Sequence, residues 1–192
     1  GDVYKRQELD IRRCAELAKY IAEIHSNKHY EKELYIRRIR DLIGHGECIM
    51  GLIDSYPKDA DYLEKDELRK IEKKLIDWRW KLKEFSHRLS VVHGDFHPWN
   101  VFFRKDVDFT VSDRSRGEYG EPADDVSAMT INYLFFSIQK WNNLYGPFKI
   151  LWEKFFETYL NYTKDFEIFK VIQPFYVWRA LVIANPIWYP NL

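Results

Sequence analysis

The sequence predicts a mostly α-helical, α+β fold with a single β-hairpin. Apolar residues recur at spacings of three and four over most of the chain, which is the period of an amphipathic helix. Runs rich in Val and Phe, typical of strands, cluster only between residues 101 and 112. With 192 residues, of which 46% are hydrophobic, the chain is long enough to bury one sizeable core, so we predict one domain.

Three helices are predicted in the first half of the chain. One apolar stripe runs through the charged residues 8–29, as in a helix packed on a core. A second helical pattern, over residues 33–43, ends at Gly44, where a glycine can close a helix in the left-handed conformation. After a short apolar segment at residues 47–56, a long charged helix is predicted over residues 61–89.

The sequence pattern of the second half of the chain predicts the hairpin and three more helices. Runs at residues 101–104 and 109–112 flank a polar turn, which is the pattern of a β-hairpin. The predicted helices cover residues 124–141, 147–162 and 166–187, the last with a kink at a proline. Four tryptophans at helical spacing are predicted to lie in the core: Trp141, Trp152, Trp178 and Trp188.

The ends of the chain are expected to differ from those of the natural protein. Residues 1–7 resemble a translated sequencing adapter, so we interpret them as an assembly artefact and assign the domain to residues 8–192. The gene is then expected to begin further upstream. The last residue, Leu192, follows no polar tail, so truncation at this end is also expected.

Composition narrows the class of protein. The 30 Lys and Arg residues balance the 30 Asp and Glu residues, so the chain has no overall field to attract nucleic acid or an anionic membrane, and neither is predicted as a partner. The most apolar segment, residues 171–189, is interrupted by prolines and an arginine, which predicts a buried terminal helix and not a membrane span. Cys14 and Cys48 are typical of reduced thiols, and no signal peptide opens the chain, so we predict a cytoplasmic protein. The oligomeric state is left open.

The most informative segment is HGDFHPWN at residues 93–100, followed after the hairpin by Ser-Asp-Arg at residues 112–114. Kinases use a catalytic-loop aspartate, an asparagine five positions later and a further aspartate that holds magnesium. Asp95 and Asn100 have that spacing, and Asp113 follows. Glycine and proline in the segment predict a loop.

The residue types fit phosphoryl transfer. A carboxylate at Asp95 could orient a substrate hydroxyl and accept its proton. Magnesium prefers oxygen ligands, which an amide oxygen of Asn100 and a carboxylate of Asp113 could provide. The hairpin turns the chain back, so we predict that these three side chains converge on one cleft.

The segment over residues 91–126 resembles the aminoglycoside phosphotransferase and choline kinase-like family. Its members share an H-G-D-x-H-x-x-N loop, a hydrophobic hairpin, an aspartate and a G-x-P-x-x-D-type turn, which GEPADD at residues 120–125 matches. The helix LAKYIAEIH at residues 17–25 also resembles the family's pattern. The resemblance implies the helical C-terminal lobe of a protein-kinase-like fold, ATP and Mg²⁺ as cofactors, and transfer of phosphate to a hydroxyl of a small molecule.

By the same resemblance, Asp95 is the catalytic residue, and Asn100 and Asp113 are the magnesium ligands. Two features depart from the family's pattern: Arg114 stands where many members have an aromatic residue, and no glycine-rich loop or nucleotide lysine precedes the helical segment. We therefore expect this chain to be inactive by itself.

Other side chains near the motif have two interpretations. His93 and His97 are four residues apart, as in zinc helices, but Gly94 and Pro98 prevent a helix, so we predict that both histidines support the loop. Alone, an aspartate such as Asp95 would more often be a turn former or a helix cap. The carboxylates that could contact a cationic substrate, or form a solvated turn with a helix cap, are Glu118, Glu121 and Asp124, whereas Asp125 is assigned a structural role.

Three functions remain in competition. A small-molecule kinase is favoured over an inactive kinase-like binding module, since such a module would not need Asp95, Asn100 and Asp113 together. A protein kinase is disfavoured because Asp113 leads by a short turn into the helix at residue 124, which leaves little room for a protein-substrate platform. The substrate stays open among aminoglycosides, choline, homoserine, sugars and other hydroxyl compounds.

Overall fold

The computed structural model describes residues 2–45, 48–58, 60, 62–114 and 117–189. Within them the chain forms seven α-helices: α1 Asp2–His25, α2 Lys32–Gly44, α3 Ile49–Asp54, α4 Lys65–Leu82, α5 Pro122–Trp141, α6 Gly146–Thr163 and α7 Gln173–Ala184. Short 3-10 helices cover Lys83–Arg88, Pro98–Asn100 and Phe166–Lys170. The strands are β1 Ser90–Val91, β2 Val101–Phe103, β3 Phe109–Val111 and β4 Tyr119–Gly120. The mostly helical α+β fold is therefore confirmed.

The helices pack around one core. Helix α1 lies along α6, while α5 packs between α6 and α7, and α2 lies against α4. The apolar stripe predicted for α1 enters the core through Ala18 and Ile21, and Leu17 beside them is also buried. The largest fully buried side chains are Tyr35, Tyr159, Phe96 and Phe155.

Several helix bounds differ from the predicted ones for local reasons. Helix α1 ends at His25 and not at residue 29, because Asn27 and Lys28 pair with β1: the Val91 amide donates to the Asn27 carbonyl at 2.9 Å. Helix α4 begins at Lys65, where Glu64 and Glu67 form a capping box.

Two predicted single helices are each divided in two. The long charged helix changes to a 3-10 helix at Lys83, and Phe85 has non-helical dihedral angles there. The last helix is not kinked at Pro174. A 3-10 helix over Phe166–Lys170 precedes α7, and Pro174 lies in the first turn of α7, where a missing N–H costs nothing.

The hairpin confirms the only strand prediction. Strands β2 and β3 are antiparallel with Val101 opposite Val111, and Asp106 in the turn has φ +54°, a left-handed conformation that aspartate tolerates. The pair β1–β4 was not predicted, because two-residue strands are too short to show an alternating pattern.

The tryptophans do not all lie in the core. Trp178 is 3% exposed, but Trp188 is 63% exposed, so its predicted burial is wrong. Trp188 follows the end of α7, where the helical spacing used for the prediction no longer applies. In the described part of the chain, no helix is both long enough and apolar enough to cross a membrane.

Candidate functional site

A loop over residues 92–97 carries the motif, and a buried carboxylate holds its backbone. Asp125, in the first turn of α5, is fully buried and accepts hydrogen bonds from the backbone amides of His93 at 2.7 Å and Gly94 at 2.8 Å. Gly94 has φ +88°, a conformation that most side chains would make costly. The same carboxylate lies 3.1 Å from Nε2 of His25 on α1. Asp125 therefore joins α1, α5 and the loop.

The two motif histidines contact the loop itself. The amide of Asp95 donates to Nδ1 of His93 at 3.3 Å, and the His93 ring also bonds the backbone of Ser112. Burial lowers the pKa of His93, and although the carboxylates of Asp125 and Asp95 oppose the shift, they do not cancel it. His93 is therefore held as a neutral ring that accepts at Nδ1.

Asp95 and Asn100 lie in direct contact. The Asn100 amide nitrogen donates to the Asp95 carbonyl at 3.0 Å and lies 3.4 Å from Oδ2 of the Asp95 side chain. His97 Nε2 is 3.3 Å from the same carboxylate oxygen. A 3-10 turn over Pro98–Asn100 brings the asparagine back onto the loop. The spacing of five residues thus places the carboxylate and the amide side by side.

Asp113 is held at the end of the hairpin by its two neighbours. The Ser112 amide donates to the Asn100 carbonyl at 2.9 Å, and Arg114 Nε donates to the Val92 carbonyl at 3.1 Å. Asp113 itself is exposed and has φ +59°. A non-glycine residue in this conformation is uncommon, and such residues cluster at functional sites.

The predicted substrate carboxylates have three different environments. Glu118 is exposed and contributes its backbone carbonyl to the Val92 amide at 2.9 Å. Glu121 is buried: it caps α5, accepts from Tyr35 at 2.8 Å and forms a bidentate pair with Arg88. Its carboxylate belongs to the protein interior, because a buried arginine takes up both of its oxygens.

Asp124, in the first turn of α5, is less buried than its neighbour Glu121: its side chain is 22% exposed and that of Glu121 is 1% exposed. The Asp124 carboxylate receives a hydrogen bond of 2.6 Å from Arg179 on α7. Arg179 also approaches Asp95, with 3.9 Å between Nη1 and Oδ1. Sequence reasoning assigned no role to Arg179, although an arginine inside the most apolar segment of the chain was a signal that could have found it.

A cavity of about 650 Å³ opens beside Asp95. Helices α3, α5 and α7 form its walls together with the motif loop, and the only charged residues among those lining it are Asp95 and Arg179. Its aromatic lining consists of Trp99, Trp178, Trp188 and Tyr189. Ligand sites in proteins are commonly concave and mostly apolar, with a few polar groups that fix orientation.

Within the described residues, no group of three or more His, Cys, Asp or Glu side chains is arranged to hold a metal ion. The amide oxygen of Asn100 and the carboxylate of Asp113 are hard oxygen donors, and these suit magnesium.

Comparison with known proteins gives one family and one fold. The chain matches the family described as "Phosphotransferase enzyme family" over residues 1–156. It is similar to a solved glucosamine kinase, crystal form A, at 15% identity with a TM-score of 0.57, over 91% of this chain and 47% of the kinase. Crystal form B gives 14% identity and a TM-score of 0.49 over 91% and 47%. The complex with glucosamine, ADP and inorganic phosphate gives 14% and 0.48 over 91% and 48%.

The chain thus spans about half the length of the solved kinases that it matches. At this level of identity the likeness shows a shared fold. No curated protein sequence matches the chain.

Proposed function

Because this chain belongs to the phosphotransferase enzyme family, we propose that it is the helical C-terminal lobe of an ATP-dependent kinase that phosphorylates a hydroxyl of a small molecule. The observation that carries the proposal is the position of Asp95. Its carboxylate lines the 650 Å³ cavity, and its loop contacts the hairpin through Asn100. A small acceptor in the cavity would therefore lie next to the residue that the motif assigns to catalysis.

Asp95 is proposed to orient the acceptor hydroxyl and accept its proton as the oxygen attacks the γ-phosphorus of ATP, while the bond from that phosphorus to the bridging oxygen breaks and ADP leaves. A candidate base must lie within hydrogen-bond reach of the proton that it removes, and Asp95 lines the cavity in which the acceptor is proposed to bind. His97 at 3.3 Å and Asn100 at 3.4 Å restrict the orientation of the carboxylate. A fixed geometry of this kind reduces the entropy lost in reaching the transition state.

Asn100 and Asp113 are proposed to hold Mg²⁺. The Asn100 amide nitrogen is directed at Asp95, which leaves the amide oxygen for a cation. The unusual backbone of Asp113, fixed through Ser112 and Arg114, is consistent with a carboxylate that is held in place for a ligand. When bound, the metal would neutralise charge on the phosphate groups.

The proposal also assigns nucleotide binding to the upstream part of the protein. The glucosamine kinase of crystal form A is about twice as long as this chain, and the missing half is proposed to cover the adenine and position the phosphates. Mg-ATP should therefore bind the full-length protein but not this chain alone. Calorimetry on both proteins tests this division, and tight binding by the chain alone would place the nucleotide site elsewhere.

Two substitutions in the full-length protein test the assigned roles. Asp95→Asn should lower kcat by about 10²–10⁴-fold and leave the Kd for Mg-ATP unchanged, since the carboxylate acts on the acceptor. Asp113→Ala should raise that Kd as well as lower kcat, because it removes an anionic metal ligand. Asp66→Asn, an exposed position on α4, is the matched control. An Asp95→Asn enzyme with normal turnover would refute the proposed base.

A further inference from the structure

Asn132 is a polar residue in an apolar stretch of the cavity wall. It belongs to α5, is only 8% exposed and lines the same cavity as Asp95. The other lining residues that α5 contributes are Ala128 and Ile131. Asparagine is a poor helix former, and burial of its amide costs free energy unless its polar atoms are bonded. An amide at this position therefore needs an explanation.

The hydrogen bonds of Asn132 fix the orientation of its amide. Its Nδ2 donates to the carbonyl oxygens of Ala128 at 2.8 Å and of Met129 at 3.3 Å, one turn earlier in the same helix. The opposite orientation of the amide would place its oxygen against two carbonyl oxygens, so the nitrogen belongs on the side of the backbone. The other end of the amide, Oδ1, is turned away from these carbonyls.

The Oδ1 atom is available to a ligand. Among the described residues no donor bonds to it, and it is not one of the polar atoms that are fully enclosed without a partner. Oδ1 therefore keeps accessible surface, and the cavity is the open space that Asn132 lines. Ser55, another lining residue, differs because its hydroxyl donates to the Leu52 carbonyl at 2.7 Å and accepts from Asn185 at 2.9 Å.

The helix itself does not require this asparagine. The carbonyls of Ala128 and Met129 lie inside a regular α-helix, where each also accepts a backbone amide from the next turn. Asparagine side chains inside helices compete with such bonds, and leucine at the same place would be a better helix former. The carbonyl oxygen directed away from the helix is the part of Asn132 that a role in ligand binding would use.

Asn132 is remote from the loop that carries Asp95. It lies about two helical turns after Asp125, the residue that holds this loop, which is roughly 10 Å along the axis of α5. An acceptor that reaches both sites would present its reacting hydroxyl to Asp95 and another group to Oδ1. A carbonyl oxygen can only accept a hydrogen bond, so this second group must be a donor, such as a hydroxyl or an amine.

We propose that Asn132 is a specificity-determining residue of the acceptor site, whose Oδ1 accepts a hydrogen bond from a second hydroxyl or amino group of the acceptor. The acceptor then belongs to the polyols and amino alcohols that carry at least two donor groups. Choline is disfavoured, because its hydroxyl is needed at Asp95 and its trimethylammonium group has no N–H. The inference rests on the proposed kinase function, since it assigns a second contact in the same cavity.

Substitution of Asn132 in the full-length protein tests the proposal. Calorimetry without nucleotide would measure Kd for glucose, glucosamine, kanamycin and choline. Wild-type protein should bind at least one of the first three more tightly than choline. Asn132→Leu should weaken binding of the tightest of these by about tenfold, because one hydrogen bond is lost. Asn161→Leu, at an exposed position on α6, is the matched control and should leave this Kd unchanged.

Asn132→Asp separates a role in ligand binding from a purely structural one. Both substitutions remove the Nδ2 donor, but aspartate keeps an acceptor oxygen. The aspartate variant should therefore retain the affinity that the leucine variant loses, whereas a structural role would give equal losses in both. The added charge also identifies the donor: an ammonium partner would tighten binding of glucosamine relative to glucose, and a hydroxyl partner would leave their ratio unchanged. Thermal unfolding of each variant would detect loss of the fold.

The outcomes separate this inference from the kinase function. Equal losses in the two Asn132 variants, no loss in Asn132→Leu, or no binding of any probe would overturn the role of Asn132. Wild-type protein that binds choline as tightly as every other probe would also overturn it. Phosphate transfer from ATP is then assayed separately on the same probes. A protein in which Asn132→Leu alone weakens binding, but which transfers no phosphate, would refute the kinase function and leave recognition by Asn132 intact.

Discussion

Two charged clusters contact the start of α5, one through Glu121 and one through Asp124, and they differ in how their polar atoms are used. In the Arg88 network, formed by Arg88, Glu121, Asp165 and Tyr35, the guanidinium makes five hydrogen bonds to two carboxylates, and the tyrosine adds another. In the second cluster, Arg179 donates to Asp124 at 2.6 Å and approaches Asp95 at 3.9 Å.

The comparison shows how neighbouring acidic residues come to have different surroundings. A buried charge whose partners are all protein groups contributes to the fold, whereas one that faces a cavity can serve a ligand. Burial disfavours the charged form of Arg88, but the carboxylates of Glu121 and Asp165 more than offset this and raise its pKa above the ordinary value. Burial together with the Glu121 carboxylate likewise raises the pKa of Tyr35.

The largest effect is expected from breaking the Arg88 network. Arg88→Met leaves buried carboxylates without a counter-charge and should lower the free energy of unfolding by about 3–5 kcal/mol. Urea denaturation of the chain would measure this loss. The double variant Arg88→Met/Glu121→Gln should recover at least about 1 kcal/mol, because it removes one of the uncompensated carboxylates.

The exposed Arg69→Met serves as control for the network and should stay within about 0.5 kcal/mol of the wild type. If Arg88→Met were as mild as Arg69→Met, the network would not be the structural element that the comparison describes.

A smaller effect on stability should distinguish Asp125, whose carboxylate holds the loop backbone, from Asp95, which lines the cavity. Asp125→Asn replaces an oxygen that accepts from the His93 or Gly94 amide by a donor, and should cost about 2–3 kcal/mol of unfolding free energy. Asp95→Asn should change stability by less than about 1 kcal/mol, since the Asp95 side chain is 12% exposed beside the cavity whereas that of Asp125 is fully buried. Urea denaturation would measure the unfolding free energy of both variants. Equal losses in the two would show that Asp125 and Asp95 do not differ in their contribution to stability.

The smallest effect concerns pH and His93. Its folded pKa lies below the unfolded value of about 6.5, so the unfolded state binds more protons between these two values. Stability contributed by the neutral ring is therefore complete above about pH 6.5 and is lost as pH falls towards the folded pKa. His93→Asn should reduce the slope of unfolding free energy between about pH 5 and 7. An identical slope in both proteins would show that another group causes the dependence.

Much of the fold could be predicted from the sequence because helical periodicity is a local property. The apolar stripe of α1, the hairpin and the helix that follows Pro122 each depend on residues close in sequence. The helix ends that differ from the predicted ones, at His25 and Lys83, depend instead on contacts with distant segments. The β1–β4 pair is of the same kind, since each strand has only two residues and exists through its partner.

The features of the candidate site are likewise of two kinds, those set by local sequence and those set by tertiary packing. The sequence alone determined that Asp95 and Asn100 lie in one loop and that Asp113 follows a hairpin, because glycine, proline and strand alternation act over a few residues. The tertiary structure decided which acidic residues are enclosed by protein partners, as Glu121 and Asp125 are, and which line the cavity, as Asp95 does. It also brought Arg179 to Asp124 across 55 positions of sequence. Such pairings depend on how α5 and α7 pack, and no periodicity in one segment encodes the partner of a charge in another.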